Sequence, residues 1–248
     1  MPRVPAINPF RNYADRVVGR FRFGQDQITR DFIKFVLDSA GPRERHVEAG
    51  EKYWRAQLGP DDIVRDGKGD WDHDSIRPHD AKRMTPCSRF VGNGRANPVG
   101  IPYWYGATDP ETAVAEMRPW KEAILTVATL QATRDLRFVD CGNTRSVVLD
   151  NSGMDSRYEQ YVWDLISEAL SRPVAPTTID VEYVPTQMLA EAFRIRGFDG
   201  ILYKSHLGKG VNVVVFDLSA LAIGGRELWT ADDVSYVLKP HGDEITID

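Results

Sequence analysis

Three stretches of this chain carry side chains that could hold and act on a small molecule. The densest runs from Gly94 to Arg118, GRANPVGIPYWYGATDPETAVAEMR, and combines a guanidinium (Arg95), an aromatic strand (Tyr103, Tyr105) and a carboxylate (Glu116). A second, KYWRAQL at Lys52–Leu58, presents Arg55. The third, GFDGILYKSHLGKGVNVVVF from Gly197 to Phe216, offers Tyr203, Ser205 and Asn212 around a glycine loop. We read Gly94–Arg118 as the floor and one wall of a small-molecule site. Each residue also has a plain structural role open to it. Arg95 can clamp its own turn through carbonyl groups, Glu116 can face water, Tyr105 and Tyr203 can fill a core, and Ser205 can cap a turn. It is the joint pattern that marks the site.

The elements that position these groups follow from local chemistry. Gly94 lets the backbone approach a ligand, and Asn97-Pro98 with Gly100 forces a turn. Ile101–Gly106 is aromatic-rich and predicts a strand. Asp109-Pro110-Glu111 starts a short helix, with Asp109 as N-cap and Pro110 at the first position, and Pro119 ends it. Ala113, Val114 and Met117 share one face of that helix, which leaves Glu116 at the edge, turned into a cleft. Pro185–Arg196 predicts a second helix, closed by Gly197. Ile201–Ser205 and Val211–Leu218 predict two strands that pair and hold Tyr203, Ser205 and Asn212 near the HLGKG loop.

Elsewhere, Lys52–Leu58, Ile124–Gln131 and Leu136–Cys141 predict strands. Ser156–Arg172 predicts a packing helix from Tyr158, Tyr161, Val162, Leu165, Ile166, Ala169 and Leu170 at helical spacing. Residues 1–50 stand apart as a mostly helical extension, with six arginines against two aspartates in the first thirty. There Thr29 is the expected cap of a helix bearing Phe32, Ile33, Phe35 and Val36, which Gly41-Pro42 would end. The expected division is therefore this extension, 1–50, and a catalytic domain, 51–248. Beyond Leu218 the sequence suggests a strand or two and no role.

Composition excludes several classes. The chain has 248 residues, 42% hydrophobic and 27% charged, with a net charge of −5, so general nucleic-acid binding gains no support. No apolar run reaches membrane-span length and no signal-peptide core opens the chain. Two cysteines, Cys87 and Cys141, make neither a disulfide framework nor a zinc pattern, which points to a cytoplasmic setting. Asp70, Asp72 and Asp74 are spaced as in a calcium loop, but Ser75 and Ala81 stand where the turn glycine and the bidentate glutamate should be, so no metal is expected. There is no phosphate-loop motif, no dinucleotide-binding glycine fingerprint and no GxSxG elbow.

Read together, YWRAQ, Gly94–Pro119 and Gly197–Phe216 resemble the RES domain family, known mainly as toxins of bacterial toxin–antitoxin pairs. The resemblance implies an α+β fold similar to ADP-ribosyltransferases, a split and curved sheet flanked by helices. It implies NAD+ as substrate rather than as a resident cofactor, and cleavage of the nicotinamide–ribose bond by hydrolysis or phosphorolysis. By resemblance, the family's arginine corresponds to Arg55 or Arg95, its glutamate to Glu116, its serine to Ser205 and a site tyrosine to Tyr105. The usual GGRWN turn here reads NGRAN, with Ala96 in place of the aromatic. Residues 1–50 exceed the compact family form.

Those residue types suit that chemistry. A guanidinium fork binds pyrophosphate oxygens, and Arg55 and Arg95 are the candidates. Ser205, Asn212, Tyr203 and the loop from His206 to Gly210 add contacts to the nucleotide. Loss of nicotinamide leaves positive charge on the ribose, which Glu116 can stabilise, while Tyr105 can stack on the departing ring. The resemblance further implies an antitoxin partner, often of helix-turn-helix type, that occludes the cleft and supplies any nucleic-acid contact; self-association is left open. Two alternatives are carried beside this reading: ADP-ribosylation of a protein target, and a non-catalytic module that binds a nucleotide, or RNA through the basic N-terminal arm.

Overall fold

The computed structural model describes residues 8–61, 76–142, 154–175 and 177–235. Residues Asp70–Asp74 of the rejected calcium pattern lie outside them. In chain order the elements are α1 (Pro9–Gly19), α2 (Gln27–Asp38), β1 (Glu44–Val47), β2 (Lys52–Leu58), α3 (Ala81–Met84), β3 (Trp104–Ala107), α4 (Pro110–Glu116), β4 (Ile124–Ala132), β5 (Leu136–Asp140), α5 (Met154–Ser171), α6 (Ile179–Glu182), α7 (Val184–Ile195), β6 (Gly200–Lys204), β7 (Val211–Val215) and β8 (Leu221–Thr230). The fold is mixed α+β. Eight strands form one sheet in the order β1-β5-β6-β7-β3-β2-β4-β8.

Among the described strands β5 and β6 alone pair in parallel, and α5, α6 and α7 lie in the crossover between them. A parallel pair needs such a long connection, and the helices cover the sheet on the way. Alternate residues then face opposite sides. Val139, Ile201, Tyr203 and Val214 join a core with α1, α2, α5 and α7, whereas Phe138, Leu202, Val213 and Val215 join a second core on the other face. A third, smaller core lies under α4.

The centre of the sheet is narrow. β2 and β3 share a single paired position, Trp54 with Ala107, whereas β2 and β4 share seven. Around that waist the sheet divides into a β1-β5-β6-β7-β3 half and a β2-β4-β8 half. The expected strand at Ile101–Gly106 is shorter and starts later, at Trp104, because residues 101–103 have no ladder partner. The C-terminal stretch left without a role is β8, which pairs along β4 with one irregularity between Ala128 and Leu130.

The N-terminal segment differs from its sequence reading in two details. Asp26, not Thr29, caps α2: its Oδ1 accepts the Thr29 amide at 2.9 Å, and Thr29 sits buried within the helix. Aspartate at the cap satisfies the third helical N–H, a task Thr29 cannot perform from inside the first turn. The helix ends at Asp38, and Gly41-Pro42 opens a separate 3-10 turn. Tyr13, Val17, Phe32 and Val36 from α1 and α2 pack in the same core as α5 and α7, and β1 pairs with β5. The segment before residue 50 thus shares both core and sheet with the rest.

Candidate functional site

Glu116 ends α4, and its surroundings are built by short-range chemistry. Asp109 caps the helix, accepting the Thr112 amide at 2.7 Å, and Pro110 occupies the first turn. Ala113 with Val114 and Met117 packs against Ala56, Ala107, Leu125 and Val127. That packing fixes the rotation of α4 and directs Glu116 to β7. Its Oε1 accepts hydrogen bonds from Ser205 Oγ at 2.7 Å and from Asn212 Nδ2 at 2.8 Å. Among the described residues Oε2 accepts none.

The serine is itself oriented. Its Oγ accepts from the backbone amides of Gly208 at 2.8 Å and Leu207 at 3.1 Å. With its lone pairs so occupied, its one proton goes to Glu116. The loop that supplies these amides is pressed onto the start of α4. Gly210 N–H donates to Thr112 Oγ1 at 2.9 Å, and Val211 N–H to Thr108 Oγ1 at 3.0 Å. A Cβ at Gly210 would stand 1.8 Å from Asp109 Oδ2, and one at Gly208 would stand 2.5 Å from Thr112 Oγ1. These glycines are required by close approach rather than by unusual dihedrals.

Tyr203 and Asn212 are a cross-strand pair on β6 and β7, so their side chains share a face. Asn212 spends its amide on Glu116. Tyr203 is only 4% exposed, yet its hydroxyl makes no hydrogen bond among the described residues. Burial raises its phenol well above the usual range, with Tyr105 and Glu116 adding to the rise and Arg95 opposing it. Tyr203 therefore lies within electrostatic reach of both Arg95 and Glu116, and it stays a neutral donor.

The NGRAN turn is held from within. Tyr105 Oη donates to Asn97 Oδ1 at 2.7 Å and accepts from the Ala96 amide at 3.0 Å. From α7, Gln187 Nε2 donates to Gly94 O and Asn97 O, both at 2.9 Å, and Thr186 Oγ1 donates to Arg95 O at 2.6 Å. These bonds require a glycine at position 94: a Cβ there would meet Asn97 Oδ1 at 2.3 Å and Tyr105 Oη at 2.5 Å. Ala96 is buried in the helix-side core. Burial drives the Tyr105 phenol upward, so its hydroxyl remains a donor to the turn.

The two candidate arginines are placed differently. Arg95 is half-buried; its Nη1 donates to Arg172 O at 2.8 Å near the end of α5, and its guanidinium lies 5.2 Å from the Tyr183 ring centroid. Arg55 enters the gap where β2 and β3 part, donating Nε to Met84 O at 3.1 Å and Nη1 to Tyr105 O at 3.0 Å, 6.0 Å from the Trp104 ring. Among the described residues no carboxylate pairs with it, and burial lowers its pKa to about 10. It stays charged at neutral pH.

The structure thus brings Glu116, Ser205, Asn212 and Tyr203 together, with Arg95 in reach and Arg55 in the sheet. Thr108, Thr112, Thr186 and Gln187, which hold the loop and the turn, were not singled out from sequence; their partners lie about 90–100 residues away and leave no local signal. Cys87 is exposed and Cys141 buried, with no bond between them. His79 is a structural pin, its ring bonded to Asp61 Oδ1 at 2.9 Å and Leu58 O at 3.1 Å. Among the described residues no group of three or more His, Cys, Asp or Glu is placed to hold a metal, and no helix is long and apolar enough to cross a membrane.

Fold and site together define an α+β protein with an oriented carboxylate at the junction of a short helix and a hairpin. The chain belongs to the RES domain family, whose profile matches residues 70–238. That span includes Arg95, Tyr105, Glu116, Tyr203, Ser205 and Asn212, and begins after the strand bearing Arg55. Among solved structures, a chain in the crystal structure of the M. tuberculosis MbcT-MbcA toxin-antitoxin complex is similar at 16% identity and a TM-score of 0.45, over 80% of this chain and 93% of that one. No curated protein matches the sequence significantly.

Proposed function

We propose that this protein is the toxin of a toxin–antitoxin pair and cleaves the nicotinamide–ribose bond of NAD+ in the cytoplasm. The observation that carries the reading is the pair of donors, Ser205 and Asn212, which fix one oxygen of Glu116 and leave the other without a partner among the described residues. Membership of the RES domain family supports it.

In this reading the bond between ribose C1′ and the pyridinium nitrogen breaks, and its electron pair leaves with nicotinamide. The departing ring is neutral and needs no general acid. The ribose carries the positive charge, and Glu116 stabilises it from the free oxygen or orients a ribose hydroxyl. Water or phosphate then adds to C1′ and loses a proton. Arg95 binds the pyrophosphate, Tyr105 lines the nicotinamide side and the Tyr203 hydroxyl donates to the nucleotide. The cognate antitoxin, of helix-turn-helix type, covers this cleft.

The test is release of nicotinamide from NAD+ by purified protein, wild type beside Glu116→Gln, with and without phosphate. Release by wild type alone supports the reading, and dependence on phosphate names the acceptor. No release by folded wild type contradicts it, and transfer of ADP-ribose to an added protein would redirect it.

A further inference from the structure

A cavity lies away from Glu116. It has a volume of about 380 Å³ and sits between Pro98, Ile101 and Tyr103 on one side and Glu191, Arg194 and Ile195 of α7 on the other. This is the low end of the range for small-molecule sites, too small for a dinucleotide. Strand register separates it from the candidate active site. Tyr103 precedes Trp104, which pairs with Val215, whereas Asn212, a partner of Glu116, pairs with Ala107. The four steps from Tyr103 to Ala107 span roughly 13 Å of extended chain.

Among the described residues the polar side chains of the cavity make no hydrogen bond or ion pair. Tyr103 is 3% exposed, and its hydroxyl makes no hydrogen bond among the described residues. The Arg194 guanidinium lies 5.6 Å from the Tyr103 ring centroid. Glu191 is three residues earlier on the same helix, a spacing at which opposite charges can pair. They do not: among the described residues neither has a partner at ion-pair distance, and Arg194 acts on Asp217 only from afar. The pocket therefore offers one cation, one anion and a buried phenol beside the apolar surfaces of Pro98, Ile101 and Ile195.

We propose that this cavity binds a small zwitterion with an apolar stem, of the size of a free aliphatic or aromatic amino acid. Its carboxylate meets Arg194, which can take it in bidentate fashion. Its ammonium meets Glu191, and its stem lies on Ile101, Pro98 and Ile195. Pro98 follows Asn97, which accepts from Tyr105, so the ligand braces the turn that carries Arg95. The proposal is independent of the reaction assigned to Glu116.

Isothermal titration of the purified full chain tests it, with L-leucine, L-methionine and L-phenylalanine as probes. Leucinamide lacks the carboxylate and N-acetyl-leucine lacks the ammonium. The expected result is saturable one-to-one binding of at least one amino acid, weakened at least tenfold by Arg194→Gln or by leucinamide. Glu191→Gln or N-acetyl-leucine should weaken it severalfold, and Glu116→Gln should leave it unchanged. Glu191 and Arg194 are exposed on α7, so both variants keep the fold. Absence of saturable binding for all three amino acids, binding indifferent to both α7 substitutions, or loss of binding in Glu116→Gln would each overturn it.

Discussion

Arg55 and Arg95 look interchangeable in the sequence, each flanked by aromatic or small residues and each a match to the same family arginine. Their surroundings separate them. Arg55 lies where β2 and β3 part and replaces ladder bonds, giving two donors to main-chain carbonyls. Arg95 lies on a turn that other residues already hold, and spends one bond on Arg172 O. Tyr203 feels Arg95 and Glu116 together, whereas Arg55 is governed chiefly by its burial, with Arg83 a lesser like charge. A guanidinium inside a sheet does the work of missing strand pairing; one on a braced turn is the one proposed above to meet the substrate.

That contrast can be broken by substitution. Arg95→Ala should reduce nicotinamide release from NAD+ by about 10²-fold, the loss expected when a charge-assisted clamp on substrate is removed, with little change in thermal midpoint. If activity survives while the midpoint collapses, the roles of the two arginines are exchanged. Arg55→Ala should do the opposite in kind, lowering stability by about 2–4 kcal/mol in urea titration because it orphans two carbonyls and empties the gap.

Tyr105→Phe should cost about 1–3 kcal/mol, since the Ala96 amide and Asn97 Oδ1 both lose their partner. Turnover by the folded fraction should stay close to wild type if the hydroxyl serves the turn. A large loss of turnover at full stability would move Tyr105 into the chemistry.

The smallest effect is one of pH. Burial lowers the Arg55 pKa to about 10, so the folded chain holds that proton less tightly than the unfolded chain. Arg55 therefore carries a charge penalty at neutral pH that is relieved as pH rises past 10. Wild type should gain stability relative to Arg55→Ala between pH 9 and 11, as read by paired urea titrations. A constant difference would mean that the guanidinium is not buried in this way.

Much of the candidate site was legible because its determinants are local. Asp109 and Pro110 start α4, the spacing of Ala113, Val114 and Met117 fixes its inward face, and Glu116 follows from those two facts. Gly197, at φ 91°, closes α7 as a glycine beyond a helix end should. The pairing of β6 with β7 followed from a short loop between two apolar runs. What was not legible depends on distant partners. Nothing near Arg55 announces that β2 and β3 meet at one position, and nothing near Gly94 shows that Tyr105 Oη will occupy the space left by its missing Cβ. The sheet order and the docking of α1 and α2 onto α5 and α7 likewise arise from packing that no local pattern records.

The most direct measurement is a crystal structure of the Glu116→Gln variant soaked with NAD+. The account predicts the nicotinamide ribose beside residue 116, the pyrophosphate on Arg95, and the Tyr203 hydroxyl bonded to the nucleotide. A dinucleotide whose phosphates lie on Arg55, or one bound away from residue 116, would contradict it.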